Sequence, residues 1–149
     1  MTDDEALLRL QLPDRPEAPS AARKALAALN GSLHLISGPR LRDAQLAVSE
    51  LVANAVRHGG RGGEPIVLTV RATPEVMRVE VCDDGAGFDQ APSAEPPKHD
   101  RGGGWGLAIV AALGHRWGVD RDAATTVWFE IDRPQREEPL PVEPSPPQL

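Results

Sequence analysis

The sequence predicts an α+β fold, a two-layer sandwich in which helices cover one face of a mixed, mostly antiparallel sheet. Three observations carry that reading. Leu41 to His58 places apolar residues at three- and four-residue steps, the mark of a helix with one buried face. Ile66 to Arg71 and Val76 to Cys82 alternate with period two on either side of a turn-like segment. The whole chain reads strand, helix, helix, strand, strand, helix, strand, strand, an order that segregates neither class.

Taken in order, Ala6 to Leu12 is expected as a first strand, closed by Pro13 and a proline-interrupted connection through Pro19. Ser20 then caps a helix over Ala21 to Leu29, which Asn30-Gly31 ends. Leu33 to Pro39 reads as a loop. In the long helix, Leu41, Ala44, Val48, Leu51, Val52 and Ala55 form the buried stripe, and Gly59-Gly60-Arg61-Gly62-Gly63 stops it. Ala72 to Glu75 turns between the two alternating strands, with Met77, Val79 and Val81 of the second facing the core. Phe88 to Gly103 has no apolar period, and a loop of that length in a compact domain is usually functional or mobile. Leu107 to Leu113 returns to helix, and Arg116 to Asp120 and Thr125 to Ile131 are two closing strands. Residues 1–132 thus form one domain, and 133–149 a proline-rich tail that cannot build a core and is expected to be disordered.

Composition bounds the function. A chain of 149 residues suits one domain, and 40% hydrophobic content with three Trp and two Phe implies an aliphatic, alanine-rich core. The net charge of -6 argues against nucleic acid or an anionic membrane as the main partner. Cys82 is the single cysteine, which excludes an internal disulfide and a multi-cysteine metal site; it reads as a buried structural thiol. With no long apolar run and no signal-peptide pattern at the N-terminus, the expected setting is the cytoplasm.

Three segments carry candidate chemistry. Glu50 and Asn54 lie four residues apart on one helix face, with Ala47 one turn before them. A carboxylate beside a carboxamide, next to a slot cleared by alanine, suits a hydrated divalent cation; a solvent-facing pair in weak contact is the alternative. Asp83 shares the parity of Met77, Val79 and Val81, so it aims inward, which is costly unless something donates hydrogen bonds to it. An adenine amine is such a donor, and Gly85 and Gly87 beyond it permit close ligand approach and positive φ. An ordinary Asp-Asp-Gly turn is the alternative. Finally, Arg101-Gly102-Gly103-Gly104-Trp105-Gly106-Leu107 ends at a helix start, where free N–H groups and the helix dipole make an anion site. It is neither a P-loop, since no Gly-Lys-Ser/Thr follows, nor a dinucleotide fingerprint, since no strand directly precedes it.

Together these segments resemble the GHKL (Bergerat) ATP-binding fold of gyrase-type ATPases, Hsp90-type chaperones and histidine kinases, and most of all the bacterial anti-sigma-factor serine/threonine kinases. The matching residues are Glu50-Leu51-Val52-Ala53-Asn54-Ala55 with His58-Gly59, then Asp83-x-Gly85-x-Gly87-Phe88, then Gly102 to Leu107. Arg116-Trp117-Gly118-Val119 and Thr125-Thr126-Val127-Trp128-Phe129-Glu130 match the subfamily's closing strands. The resemblance implies ATP and Mg²⁺ as cofactors. It makes Asn54 the Mg²⁺ ligand, Glu50 the residue that orients and deprotonates the attacking hydroxyl, and Asp83 the adenine-amine acceptor. Gly85 and Gly87 fall at the base, and Gly104 and Gly106 face the phosphates within the matching stretch Gly102 to Leu107. Apart from the resemblance, Arg101 and Lys98 in the long loop are candidates to close over the phosphates, Arg101 the stronger, with solvated lid charge the alternative for both. Ala124 replaces a glycine usual before the last threonine, and parity favours Thr125 over Thr126 for the pocket.

The implied function is phosphorylation of a small anti-sigma antagonist together with binding of a sigma factor, in a subfamily whose members commonly pair as homodimers. The alternative is a nucleotide-dependent binding switch with negligible transferase activity. The catalytic half of a histidine kinase is disfavoured, because no suitably placed phosphoacceptor histidine precedes the long helix. Among other residues, His58 is expected to sit at the helix end, favoured by the dipole. His34, His99 and His115 show no ligand spacing, and Trp105, Trp117 and Trp128 read as packing residues.

Overall fold

The computed structural model describes residues 6–58, 65–83, 106–113, 115–121 and 124–133, with His58, Leu107 and Ile109 described through their backbone only. The elements follow the predicted order: β1 (Leu8–Leu12), α1 (Ala18–Leu33), α2 (Gly38–His58), β2 (Ile66–Ala72), β3 (Val76–Asp83), α3 (Gly106–Leu113), β4 (Arg116–Arg121) and β5 (Thr125–Asp132). The strands form one sheet in the order β1-β2-β3-β5-β4. Every one of its pairings is antiparallel, so the expected mixed sheet has no parallel neighbours among the described strands. β3 and β4 do run parallel, joined across α3, but β5 returns from β4 and slots between them.

Register turns the inward side chains into rows that cross the sheet. Leu8, Val70, Val79, Phe129 and Trp117 form one row. Leu10, Leu68, Val81, Val127 and Val119 form the next. The helices cover these two rows, and Val79, Phe129, Leu68 and Val70 are fully buried, as are Ala44, Ala47, Val48 and Val52 of α2. Burial of this aliphatic surface at ~25 cal/mol per Å² is the main force holding the two layers together.

Two helix boundaries differ from expectation, for local reasons. α1 begins at Ala18, so Ser20 lies inside it and caps nothing; Pro19 has no N–H to lose in the first turn and its fixed φ suits a helix start. α1 also runs past Asn30-Gly31 to Leu33, and His34 closes it in the left-handed region at φ 50°. Asn30 acts instead as a clamp on the next segment. Its Nδ2 donates to the Ile36 carbonyl at 3.1 Å, and its Oδ1 accepts from the Ile36 N–H at 3.0 Å. That clamp shortens the expected loop, and α2 starts at Gly38, where Ser37 accepts from the Arg40 N–H and Pro39 occupies the first turn.

No described helix covers the outward face of the sheet. A ladder of charges crosses it instead: Arg71 and Arg78 to Glu80, Arg78 and Arg116 to Glu130, and Arg116 to Asp132. Arg78 lies over the Trp128 ring, 4.1 Å from its centroid. Cys82 faces this side and is half-buried, not the core thiol expected from its apolar neighbours. It follows Val81 by one residue, and strand parity turns it outward.

Two outcomes are expected. Gly118 sits beneath Trp128 so closely that an added Cβ would lie 2.6 Å from the ring. Gly118→Ala must displace the indole and is expected to cost about 1–3 kcal/mol in urea unfolding. The Arg116 hydrogen bond holds the Asp132 carboxyl below its ordinary value of 3.8. A lowered folded-state pKa means that this stabilisation is complete above the ordinary value and fades as pH falls through the folded one. Asp132→Asn is therefore expected to flatten the acid limb of the stability–pH curve and leave its shape near neutrality unchanged.

Candidate functional site

The third inward row breaks the pattern of the other two. It begins apolar, with Leu12 opposite Ile66, but at the centre of the sheet Asp83 stands opposite Thr125, and Thr125 opposite Arg121. Asp83 and Thr125 are 7% and 5% exposed, a carboxylate and a hydroxyl buried where the alternation of Val81 and Val127 would place aliphatics. Asp83 is engaged within the chain. Thr126, its side chain on the opposite face, is half-buried. Arg121 was not singled out from the sequence; only the β4–β5 register shows that it ends this row.

α2 reaches the same end of the sheet because its start is fixed at the other end. Arg133 donates from Nε to the Leu35 carbonyl at 2.8 Å and from Nη1 to the Thr73 carbonyl at 2.6 Å, tying the α1–α2 turn to the β2–β3 hairpin. Arg40, in the first turn of α2, places Nη1 2.9 Å from His115 Nε2, and His115 Nδ1 accepts from the Asp132 N–H at 2.7 Å. From that anchor the distances are set by chain geometry. Asn54 lies fourteen residues beyond Arg40, about 21 Å along a helix axis. Thr125 lies seven residues before Asp132, about 23 Å along a strand. The two lengths are alike, and Asn54 is buried, with 5% of its surface exposed.

α3 arrives by the same logic. It packs on α2, and the residue two past its last turn is His115, at the start of α2. The eight residues of α3 run about 12 Å, and Gly106 opens the first turn. Glu50 itself is half-buried on α2, one turn before Asn54. The free N–H groups of a helix start favour negative charge in front of them.

Two further contacts stiffen α2. Arg23 of α1 donates to the buried Ser49 hydroxyl at 2.9 Å, and Gln45 donates to the Arg23 carbonyl at 3.1 Å. Ala47 is wholly buried, so it lets neighbouring elements close onto α2 and does not leave the open slot expected of it. Gly85, Gly87, Lys98, Arg101, Gly102 and Gly104 lie outside the described residues, as do His99, Trp105, the proline-rich tail and the side chains of His58 and Leu107.

The donor set has a definite chemistry. Asp83 offers acceptor oxygens, Thr125 a hydroxyl, Asn54 a carboxamide and Glu50 a carboxylate at the margin. Among the described residues no three His, Cys, Asp or Glu are grouped to hold a metal ion. The carboxamide and carboxylate oxygens of Asn54 and Glu50 are hard donors of the kind Mg²⁺ prefers. No described helix is long and apolar enough to cross a membrane.

Comparison with known proteins gives this geometry a context. The histidine kinase-like ATPase domain family matches residues 12–131. The chain is 32% identical over 117 residues to the serine-protein kinase RsbW of Listeria monocytogenes serovar 1/2a, covering 71% of this chain and 74% of that one. It is 34% identical over 84 residues to RsbW of Listeria innocua serovar 6a, covering 55% and 53%. A crystal structure of the RsbU and RsbW domains of Rv1364c from Mycobacterium tuberculosis shares the fold, with a TM-score of 0.65 at 24% identity. The match covers 87% of this chain and 33% of that longer one.

Proposed function

Because this chain belongs to the histidine kinase-like ATPase family, in its anti-sigma-kinase-like GHKL branch, we propose that it is a serine/threonine protein kinase that uses Mg-ATP. In this reading it acts in the cytoplasm on a small anti-sigma antagonist, also binds a sigma factor, and works as a homodimer. The observation that carries the proposal is the break in the third row, where Asp83 and Thr125 stand buried and paired across β3 and β5.

The chemistry divides among these residues. Asp83 accepts a hydrogen bond from the adenine amine, and Thr125 supports the same edge of the base. Asn54 offers its carboxamide oxygen to Mg²⁺, which keeps most of its waters and its contacts to phosphate. Bound Mg-ATP supplies the transferable phosphoryl group and neutralises charge on it. Glu50, outside the buried set and one turn away, orients the acceptor hydroxyl for in-line attack on the γ-phosphorus. As the new O–P bond forms and the bond to the β-phosphate oxygen breaks, the hydroxyl proton passes late to Glu50 and ADP leaves. Phosphoryl transfer asks mainly for positioning, so orientation is the larger part of its work. The helix start at Gly106 and the glycine-rich residues before it receive the phosphates in this scheme.

The second reading keeps the pocket and drops the transfer: ATP occupancy alone sets which partner is held. Glu50 favours the kinase, since a binding switch has no need of a carboxylate beside the phosphates, where its charge opposes theirs.

Calorimetry with ATP and Mg²⁺ tests the pocket. Asp83→Asn is expected to weaken binding about 10–100-fold, the worth of a hydrogen bond to a charged group; equal affinity for variant and wild type overturns the site. A radiolabelled transfer assay with the cognate antagonist tests the chemistry. Asn54→Ala is expected to abolish Mg-ATP binding, while Glu50→Ala keeps binding and loses about 10²–10⁴-fold in transfer. Binding by the wild type with no transfer to that antagonist selects the switch.

A further inference from the structure

We propose that the exposed stripe of α2 centred on Leu46 is where the phosphate-accepting partner docks, and that it takes an acidic segment carrying an apolar side chain beside its hydroxyl residue. The inference rests on the kinase reading above and goes beyond it by naming the recognition surface.

Leu46 is 46% exposed, whereas the other aliphatic residues from Ala44 to Ala55 of α2 are buried or half-buried. A single exposed leucine is ordinary on a protein surface; its position is what singles this one out. Arg42, Leu46, Glu50, Ala53 and Arg57 recur at steps of four, four, three and four, so they line one stripe, with about 5–6 Å between successive Cβ atoms. Any side chain that brings its hydroxyl to Glu50 carries chain on both sides of it, at up to about 3.6 Å per residue. The residues next to the hydroxyl therefore fall on the adjoining turns, which offer Leu46 on one side and the small Ala53 on the other.

Charge gives the second half of the argument. The chain carries 22 Asp and Glu against 16 Lys and Arg. In α1 and α2 the balance inverts, with Arg23, Lys24, Arg40, Arg42 and Arg57 against Asp43 and Glu50 alone. Arg42 and Arg57, both exposed, stand at the two ends of the stripe. A locally basic surface with an apolar centre, on an otherwise acidic molecule, selects a partner of the opposite pattern and speeds its approach.

The test uses a serine-centred positional-scanning peptide library with radiolabelled ATP, alongside calorimetry of Mg-ATP binding. Wild type is expected to prefer Leu, Ile, Val or Phe within two residues of the serine and Asp or Glu farther out. Leu46→Lys should lower transfer to apolar-flanked peptides about tenfold or more and leave ATP affinity within about twofold, while Leu46→Met restores the preference. Arg42→Glu should erase the acidic preference alone. Transfer without any flanking preference, or a Leu46→Lys enzyme with the wild-type profile, overturns this inference and leaves the kinase reading standing. Transfer to the cognate antagonist with none to any peptide in the library overturns this inference alone, and calorimetric binding with no transfer to either overturns both.

Discussion

The site depends on where α2 starts. A 21-residue helix must cover the inward face of the sheet, and its level along that face is free until something fixes it. Arg133 and the Arg40–His115–Asp132 contact fix it at the hairpin end, where none of the candidate chemistry lies. A shift of α2 by one turn, about 5.4 Å, would carry Glu50 and Asn54 by the same distance along the sheet. The contacts that hold the helix layer in register with the sheet are thus remote from the groups they position, and rigid helix and strand carry the placement between them.

The same separation explains why the two faces of the sheet differ so much. The inward face is aliphatic until its last row, because the helices exclude water from it. The outward face bears alternating cations and carboxylates whose stems cover the strands, with half-buried Arg78 and Glu80 paired at 2.8 Å. Pairs of this kind on a wetted face contribute little each to stability. Their main effect is to hold the strands in one register, since a one-residue slip would turn these charges toward the helices and the aliphatic set out to water.

Much of this was legible in the sequence, because its signals are local. The period of Leu41 to Ala55 and the alternation in β2, β3 and β5 placed those elements to within a few residues, and parity alone turned Asp83 and Thr125 inward. What was not legible depends on partners distant in the chain. Asn30-Gly31 looks like a helix stop until Ile36 is seen to use the asparagine side chain. Ala47 looks like an opening until other elements close on it, and Cys82 looks apolar until the strand register turns it outward. Arg121 has no signal of its own and enters the row only through its pairing with Thr125. That Asn54 and Asp83 share one site is what the family resemblance implies; the contacts of Arg133 and His115 that fix the start of α2 carry no mark in the sequence.

The strand order also bears on how the protein is made. β5 comes last in sequence among the strands yet lies inside the sheet, bonded to β3 on one side and β4 on the other. During synthesis the helices and the β1-β2-β3 meander can form early, but the second half of the sheet waits until residue 132 has left the ribosome. Until then the edge of β3 stands open, a template for wrong pairing. Late closure by an interior strand makes the nascent chain, more than the finished one, the form in need of a chaperone.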